Sequence, residues 1–311
     1  MMDDTKKLAT TPWARPSLSV IVCLAVVLQV SLANAQGNVL TEQAVLKSIV
    51  HGQKALLAQQ GANGAWNSSD RVTGVTALAT LAMLNCGMSP DDAPVRKALG
   101  YLRSIQEPDD TYEVSLLLMV YAAAKDRNDD GRMRRLVTRL EQSQKSFGPM
   151  KGCWSYSTAN AIIDTGGDHS NGQFAVLGLF EAAMAGVHVK RSVWESARDH
   201  WERAQCGDGG WGYASVGGND STGSMTVAGI AVQVMTSAML PDDEKLDADG
   251  NPPCCMKPEI DESLERGLRW MANHFSVSRN PGGGGWKYYY LYGLERAGRL
   301  SGRRFFGEND W

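Results

Sequence analysis

The chain has 311 residues and a formal charge of −3, with 43% hydrophobic and 21% charged side chains. That length supports one large core or two modest domains, and the composition excludes wholesale disorder. No basic stripe occurs beyond Arg132, Arg134, Arg135 and Arg139, which fall at helical spacing and read as a solvated face, so nothing points to nucleic acid as a partner.

Residues 1–35 read as an export signal. Lys6, Lys7 and Arg15 precede an apolar run over 18–30, and Ala33-Asn34-Ala35 supplies the small residues of a cleavage site. The run is short for a membrane span, which needs roughly 20 residues. The expected mature chain is therefore 36–311, exported to the periplasm or the medium and without a transmembrane segment. Once Cys23 is removed, Cys86, Cys153, Cys206, Cys254 and Cys255 remain. An odd count leaves at least one free thiol or an intermolecular bond, and no spacing resembles a zinc knuckle.

From Thr41 onward apolar residues recur every three or four positions, which predicts helices throughout. Ten are expected, in five pairs. The first members carry a charged face: 41–60, 89–106, 129–144, 192–205 and 260–275. The second members are apolar and rich in small residues: 72–84, 111–124, 171–185, 223–240 and 288–297. A helix with one charged face belongs on an outside wall, whereas one apolar nearly all round must be surrounded. The expectation is an inner set of helices wrapped by an outer set. Asp129 and Ser192 are expected N-caps, Ser192 forming a capping box with Glu195. Asp168 or Ser170 would cap the helix from about 171, and Gly87 and Gly186 would end theirs in left-handed caps. The acidic, Pro-rich stretch 241–258 reads as a surface excursion, because another repeat comes after it.

One pattern recurs four times: an apolar residue, Gln or a stand-in four positions on, a Gly-rich turn, then Trp. The copies are Leu56-Gln60 with Gly64-Ala65-Trp66, Leu140-Gln144 with Gly152-Cys153-Trp154, Trp201-Gln205 with Gly209-Gly210-Trp211, and Trp270-His274 with Gly284-Gly285-Trp286. A broken copy, Leu102-Gln106, runs into Asp109-Asp110 without a Trp. One helix pair per about 44 residues is a normal period for paired-helix repeats. A Gln amide at a helix end can satisfy free carbonyls. An indole over a Gly-rich turn buries its ring where the backbone comes close. Gln60, Gln144, Gln205, Trp66, Trp154, Trp211 and Trp286 are therefore read as structural.

This repeat, with a small apolar helix after it, resembles that of the prenyltransferase and squalene-oxidase/terpenoid-cyclase superfamily over nearly all of 41–311, with Asp208-Gly209-Gly210-Trp211-Gly212-Tyr213 as its sharpest copy. The resemblance implies an all-α fold, an α/α toroid or (α/α)-barrel of about five helix pairs in two concentric layers. Either five pairs complete the ring, or the chain is part of a longer gene product. Fold does not fix activity, and the sequence departs from the superfamily's catalytic signatures. The Asp-x-Asp-Asp acid of the cyclases is absent, Asp126-Arg127-Asn128-Asp129-Asp130 having the wrong spacing. The zinc-binding patterns of protein prenyltransferases are absent too, and Cys206 and Asp208 read as turn residues.

Asp109-Asp110-Thr111-Tyr112-Glu113 matches a loose magnesium–diphosphate motif but reads first as an acidic helix start. In a toroid, the loops entering the inner helices ring one mouth of the central cavity. Two segments there are polar: Asp164 to Gln173, and Asn219 to Thr226. They nominate Asp168, His169 and Asp220 as an acid/base group. Asn171, Gln173, Ser224 and Glu113 are the ligand-binding candidates. His51, His188 and His200 read as partly buried or solvated. The expected function is an exported toroid binding a hydrophobic ligand or a protein partner, with no cofactor. The alternatives are an isoprenoid- or lipid-active enzyme using the acidic group, and a carbohydrate-active barrel using Tyr288, Tyr289, Tyr290 and Tyr292 as a platform.

Overall fold

The computed structural model describes residues 41–67, 71–159, 166–214, 220–240 and 261–311. The export signal, the stretch 241–258 with Cys254 and Cys255, Asp164 and Asn219 lie outside them. Contacts divide the chain into two units, Met1–Lys54 and Ala55–Trp311. Of the first, the described part is the start of α1 (Glu42–Gln59), a helix with no buried residue. The second unit holds the remaining helices and the core.

The described chain is all-α apart from one small hairpin. After α1 come α2 (Val72–Asn85), α3 (Ala93–Ser104), α4 (Thr111–Ala124), α5 (Asp130–Ser143), α6 (His169–Met184), α7 (Arg191–Ala204), α8 (Gly223–Met239), α9 (Glu262–His274) and α10 (Lys287–Ser301). β1 (Phe305–Phe306) and β2 (Asn309–Asp310) pair antiparallel near the C-terminus. All ten expected helices are present, α4 with the expected bounds and the others with ends shifted by at most four residues. No helix among the described residues is long and apolar enough to cross a membrane.

The contrast between helix types has its structural counterpart. In α4 every residue from Val114 to Tyr121 is buried, and in α8 every residue from Gly223 to Gln233. By contrast α3 buries only Val95, Ala98, Leu99 and Leu102, a single stripe at helical spacing, and α5 only Met133, Leu136, Val137, Leu140 and Ser143. The helices α2, α4, α6, α8 and α10 pack on one another in chain order. The charged helices α3, α5, α7 and α9 pack against these apolar ones. Small residues permit the close approach: a Cβ on Gly178 of α6 would lie 2.8 Å from Ser115 Cα of α4.

Caps divide between expectation and correction. The Asp168 carboxylate accepts from Asn171 N at 2.9 Å and caps α6, and Gly87 and Gly186 take φ of +87° and +92°. Asp129 precedes α5 without capping it, because Arg103 and Arg132 hold its carboxylate instead. Ser192 lies inside α7, which starts at Arg191, and Glu195 pairs with Arg191 rather than closing a capping box.

The repeated Gln and Trp have one geometry in three copies. Gln60 Nε2 donates to Gly64 O of its own turn and to Pro94 O in the first turn of α3. Gln144 does the same to Gly152 O and Val193 O of α7, and Gln205 to Gly209 O and Ser263 O of α9. Each Gln thus ties its turn to the start of a later charged helix. The indoles of Trp66, Trp154 and Trp211 donate, each at 2.8 Å, to the carbonyls of Leu56, Leu140 and Trp201, the apolar residues that open their copies. In the broken copy the Leu102 carbonyl is met by Tyr121 Oη at 3.0 Å. A Tyr from the next helix fills the place of the missing Trp.

The fourth copy departs from expectation. Trp286 is not folded over its turn but is 81% exposed, in a left-handed conformation (φ +61°) at the start of α10. His274 stands where Gln stands elsewhere, and its Nδ1 meets the Trp270 carbonyl at 2.8 Å. The acceptor that would anchor the indole is occupied. Trp270 is also diverted, donating its Nε1 to Asp208.

Candidate functional site

A cavity of about 500 Å³ opens at the N-terminal ends of α4, α6, α8 and α10. Its lining is Tyr112 of α4, Ser170 and Phe174 of α6, Ser224 and Met225 of α8, Tyr289 of α10, the loop residues Tyr156 and Tyr213, and Trp286. Phe174 and Met225 are buried, whereas Tyr156, Tyr213 and Trp286 are exposed. Aromatic rings therefore form both wall and rim. The Phe174 ring lies 4.6 Å from that of Tyr112 and 6.2 Å from that of Tyr289. Across the rim, Tyr156 Oη and Tyr213 Oη are 3.0 Å apart. Among the described residues that line it there is no carboxylate, imidazole or thiol.

The wall hydroxyls form a chain of fixed direction. Tyr289 Oη donates to Gln173 Oε1 at 2.9 Å. Its single proton is then committed, so in the 2.6 Å contact with Ser170 it accepts and Ser170 donates. By the same count Tyr112 donates to Ser170. Burial raises the Tyr112 and Tyr289 phenols above their ordinary range, so they stay protonated. Burial raises Tyr213 too, reinforced by its bond to Tyr156 and the charge of Asp168.

The residues nominated from the sequence meet different fates. Ser224 lines the cavity. Gln173 lies behind the wall and ends the hydroxyl chain. Asn171 is fully buried and donates from Nδ2 to Asp168 at 2.7 Å. Glu113 faces away, its Oε1 accepting from Gly74 N of α2. Its neighbour Asp110 caps α4 by accepting from Tyr112 N and Glu113 N, and pairs with Arg71. Asp168 is buried and Asp220 exposed, and no hydrogen bond or ion pair among the described residues joins them.

His169 turns instead toward His200. Its Nδ1–H donates to the Gly212 carbonyl at 2.5 Å, which leaves Nε2 as the acceptor for His200 Nε2–H at 3.0 Å. Both rings are buried against Trp201, so His200 is fully buried, against the expectation of a partly buried or solvated ring. The cause is the packing of the Gly152 turn onto α7: a Cβ there would lie 2.9 Å from His200 Cβ. Burial lowers the pKa of His169. It pushes His200 from 6.5 down to about 3, helped by the adjacent ring and by Arg203. The unfolded chain therefore binds protons that the native state refuses. Stability is full above pH 6.5 and falls as the pH drops from there toward about 3. We expect His200→Gln, which can still donate to His169, to flatten this acid limb in urea unfolding measured across the pH range. An unchanged limb would mean that other groups carry it.

Sequence reasoning passed over the rim tyrosines, although a signal exists. Tyr156 and Tyr213 each stand two positions after the repeat's Trp, in Trp154-Ser155-Tyr156 and Trp211-Gly212-Tyr213. The wall residues share another register, each falling in the first turns of a helix of the apolar set. Neither register announces a site unless the helices are known to converge. No family model matches the chain, and no curated protein sequence matches it.

Proposed function

We propose that the chain is an exported ligand-binding protein built on the prenyltransferase and squalene-oxidase repeat toroid, and that the aromatic cavity is its binding site. The observation that carries this reading is the lining itself: six aromatic side chains converging from several elements around a space large enough for a small organic molecule. Three of the rim rings, Tyr156, Tyr213 and Trp286, stand exposed, where burial would otherwise be expected of rings this size.

Support for ring closure comes from the other ends of the helices. A second cavity is lined by Leu81 of α2 together with Glu295, Arg296 and Leu300 of α10, the first and last helices of the apolar succession. Support for binding rather than catalysis comes from the fates of Asp168 and His169. The carboxylate serves as a helix cap and the imidazole is spent on Gly212 and His200.

Native mass spectrometry of the chain purified from its own host, before and after denaturation, tests the proposal. A small molecule is expected to be retained. Its release should shift the emission of Trp286 in the wild-type protein and leave that of Trp286→Phe unchanged. An empty protein whose emission responds to no added extract would overturn the reading. Amino-terminal sequencing of the same material tests export, with Gln36 expected as the first residue.

A further inference from the structure

Resting on that reading, we infer that the cavity is selective for an organic cation, an ammonium group that is methylated or protonated. The site combines aromatic faces, a wall of three hydroxyls whose protons are committed to Gln173, and a buried carboxylate behind it that forms no ion pair with a described residue.

The aromatic faces come first. Tyr112, Phe174, Tyr289 and Trp286 surround the space, and a ring face attracts a cation through its quadrupole. Rings alone would equally suit a neutral hydrocarbon, so the polar atoms decide. The protons of Tyr112, Ser170 and Tyr289 all run along one chain to Gln173 Oε1. Only lone pairs remain on these oxygens for a ligand. Ser224 Oγ accepts from Asn280 Nδ2 at 3.1 Å and keeps its own proton. A sugar needs both donors and acceptors, and an anion needs donors. The Tyr112–Ser170–Tyr289 wall offers acceptors, which suit an N–H or a polarised N-methyl group, while the donors of Ser224 and of the rim lie apart from it.

Helix N-termini ordinarily favour anions, and at α4, α6 and α8 that preference is already spent. Asp110 takes the amides of Tyr112 and Glu113, and Asp168 takes that of Asn171. In α8, Ser224 N donates to Asn280 Oδ1 and Met225 N to Thr222 Oγ1. Asp110 has Arg71 as a counter-ion. Asp168, only 5% exposed, forms no ion pair with any described residue. Its charge is felt at the hydroxyls of Tyr112, Tyr213 and Tyr289, all of which line the cavity. The adjacent imidazoles are held neutral by burial and do not offset it. A buried carboxylate without an ion-pair partner among the described residues stabilises a cation that enters.

The test compares choline with its uncharged isostere, the alcohol in which carbon replaces the ammonium nitrogen. Both are titrated into the full chain at constant ionic strength, with Trp286 emission as the readout. Choline is expected to bind about tenfold more tightly than the alcohol. In Asp168→Asn that ratio should fall toward one while the affinity for the alcohol stays unchanged. Asn remains a good N-cap, so α6 is retained, and circular dichroism verifies it. A variant that loses both ligands equally would assign Asp168 a merely structural role and overturn its part in selectivity. Equal affinity of the wild-type protein for choline and alcohol overturns the cation while leaving a ligand-binding cavity standing. Binding of neither overturns the cation as well, and a neutral molecule retained in native mass spectrometry would still support the cavity. A final arm, co-sedimentation with phosphatidylcholine vesicles, separates a lipid headgroup from a free amine as the source of the ammonium.

Discussion

Replacing Trp211 by alanine is expected to lower the free energy of unfolding by about 4 kcal/mol, in the range for deleting a fully buried indole. The side chain has no exposed surface, and its ring fills the space beside Gly229 of α8 and Gly267 of α9. A Cβ on either glycine would lie within 2.4 Å and 2.7 Å of the ring, so the two backbones are shaped around it. The indole also satisfies the Trp201 carbonyl, which the variant would leave without its partner. Urea unfolding at neutral pH measures the loss. The comparison that gives it meaning is Trp286→Ala, from the equivalent place in the fourth copy. Trp286 is largely exposed and its indole holds no carbonyl among the described residues, so this change should cost no more than about 0.5 kcal/mol. Equal costs at the two positions would show that Trp286 is structural after all and would remove the main reporter of the cavity.

Gly152→Ala should destabilise the chain by about 3 kcal/mol or more, through two effects that a second glycine separates. At Gly152 the backbone is left-handed, with φ of +91°, and a Cβ would lie 2.0 Å from Ser196 O of α7. The obstacle is backbone, which cannot swing aside as a side chain can. At Gly87 φ is also positive, at +87°, but nothing lies within 4 Å of the added carbon. Gly87→Ala should therefore cost only the conformational share, about 1 kcal/mol. Thermal and urea denaturation of the two variants side by side measure the difference. A cost at Gly152 no greater than at Gly87 would mean that the turn does not press on α7 as described.

Both expectations stem from how the repeat works. The glycine lets a turn touch the next charged helix, the Gln ties the two together, and the indole seals the turn from beneath. Gly64, Gly152 and Gly209 meet the backbones of Lys97, Ser196 and Arg266 in this way. At all five places the opening apolar residue's carbonyl receives a side chain, whether from Trp66, Tyr121, Trp154, Trp211 or His274. What persists is the satisfied carbonyl at a helix end, and the identity of the donor varies.

Much of the fold is legible in the sequence because it is local. Helix positions derive from the spacing of apolar residues, and α4 has its expected bounds since Asp110 and the apolar run after it announce their own ends. Gln60, Gln144 and Gln205 can be read as structural because a helix end always leaves carbonyls to satisfy. The exposure of Trp286 is not legible. It depends on whether His274 reaches the Trp270 carbonyl first, a competition between two side chains that sequence spacing does not rank. The same holds for Ser192, where the residues of a capping box are present but the helix begins one residue earlier.

For the site the division is sharper. Sequence alone marks the segments that enter α6 and α8 as polar and nominates Asp168, His169 and Ser224 within them. Whether a side chain on those segments faces an opening or the core is set by helix rotation, and rotation is set by neighbours far away in the chain. Packing against Trp201 and His200 turns His169 inward, while Ser170, one position on, meets Tyr112 and Tyr289. The order of helices, their two characters and their closing turns were thus determined by the sequence itself, through periodicity and the demands of the backbone. The cavity and the direction of its hydroxyl chain were decided only by tertiary structure. They arise where residues more than a hundred positions apart, Ser170 and Tyr289, come within 2.6 Å.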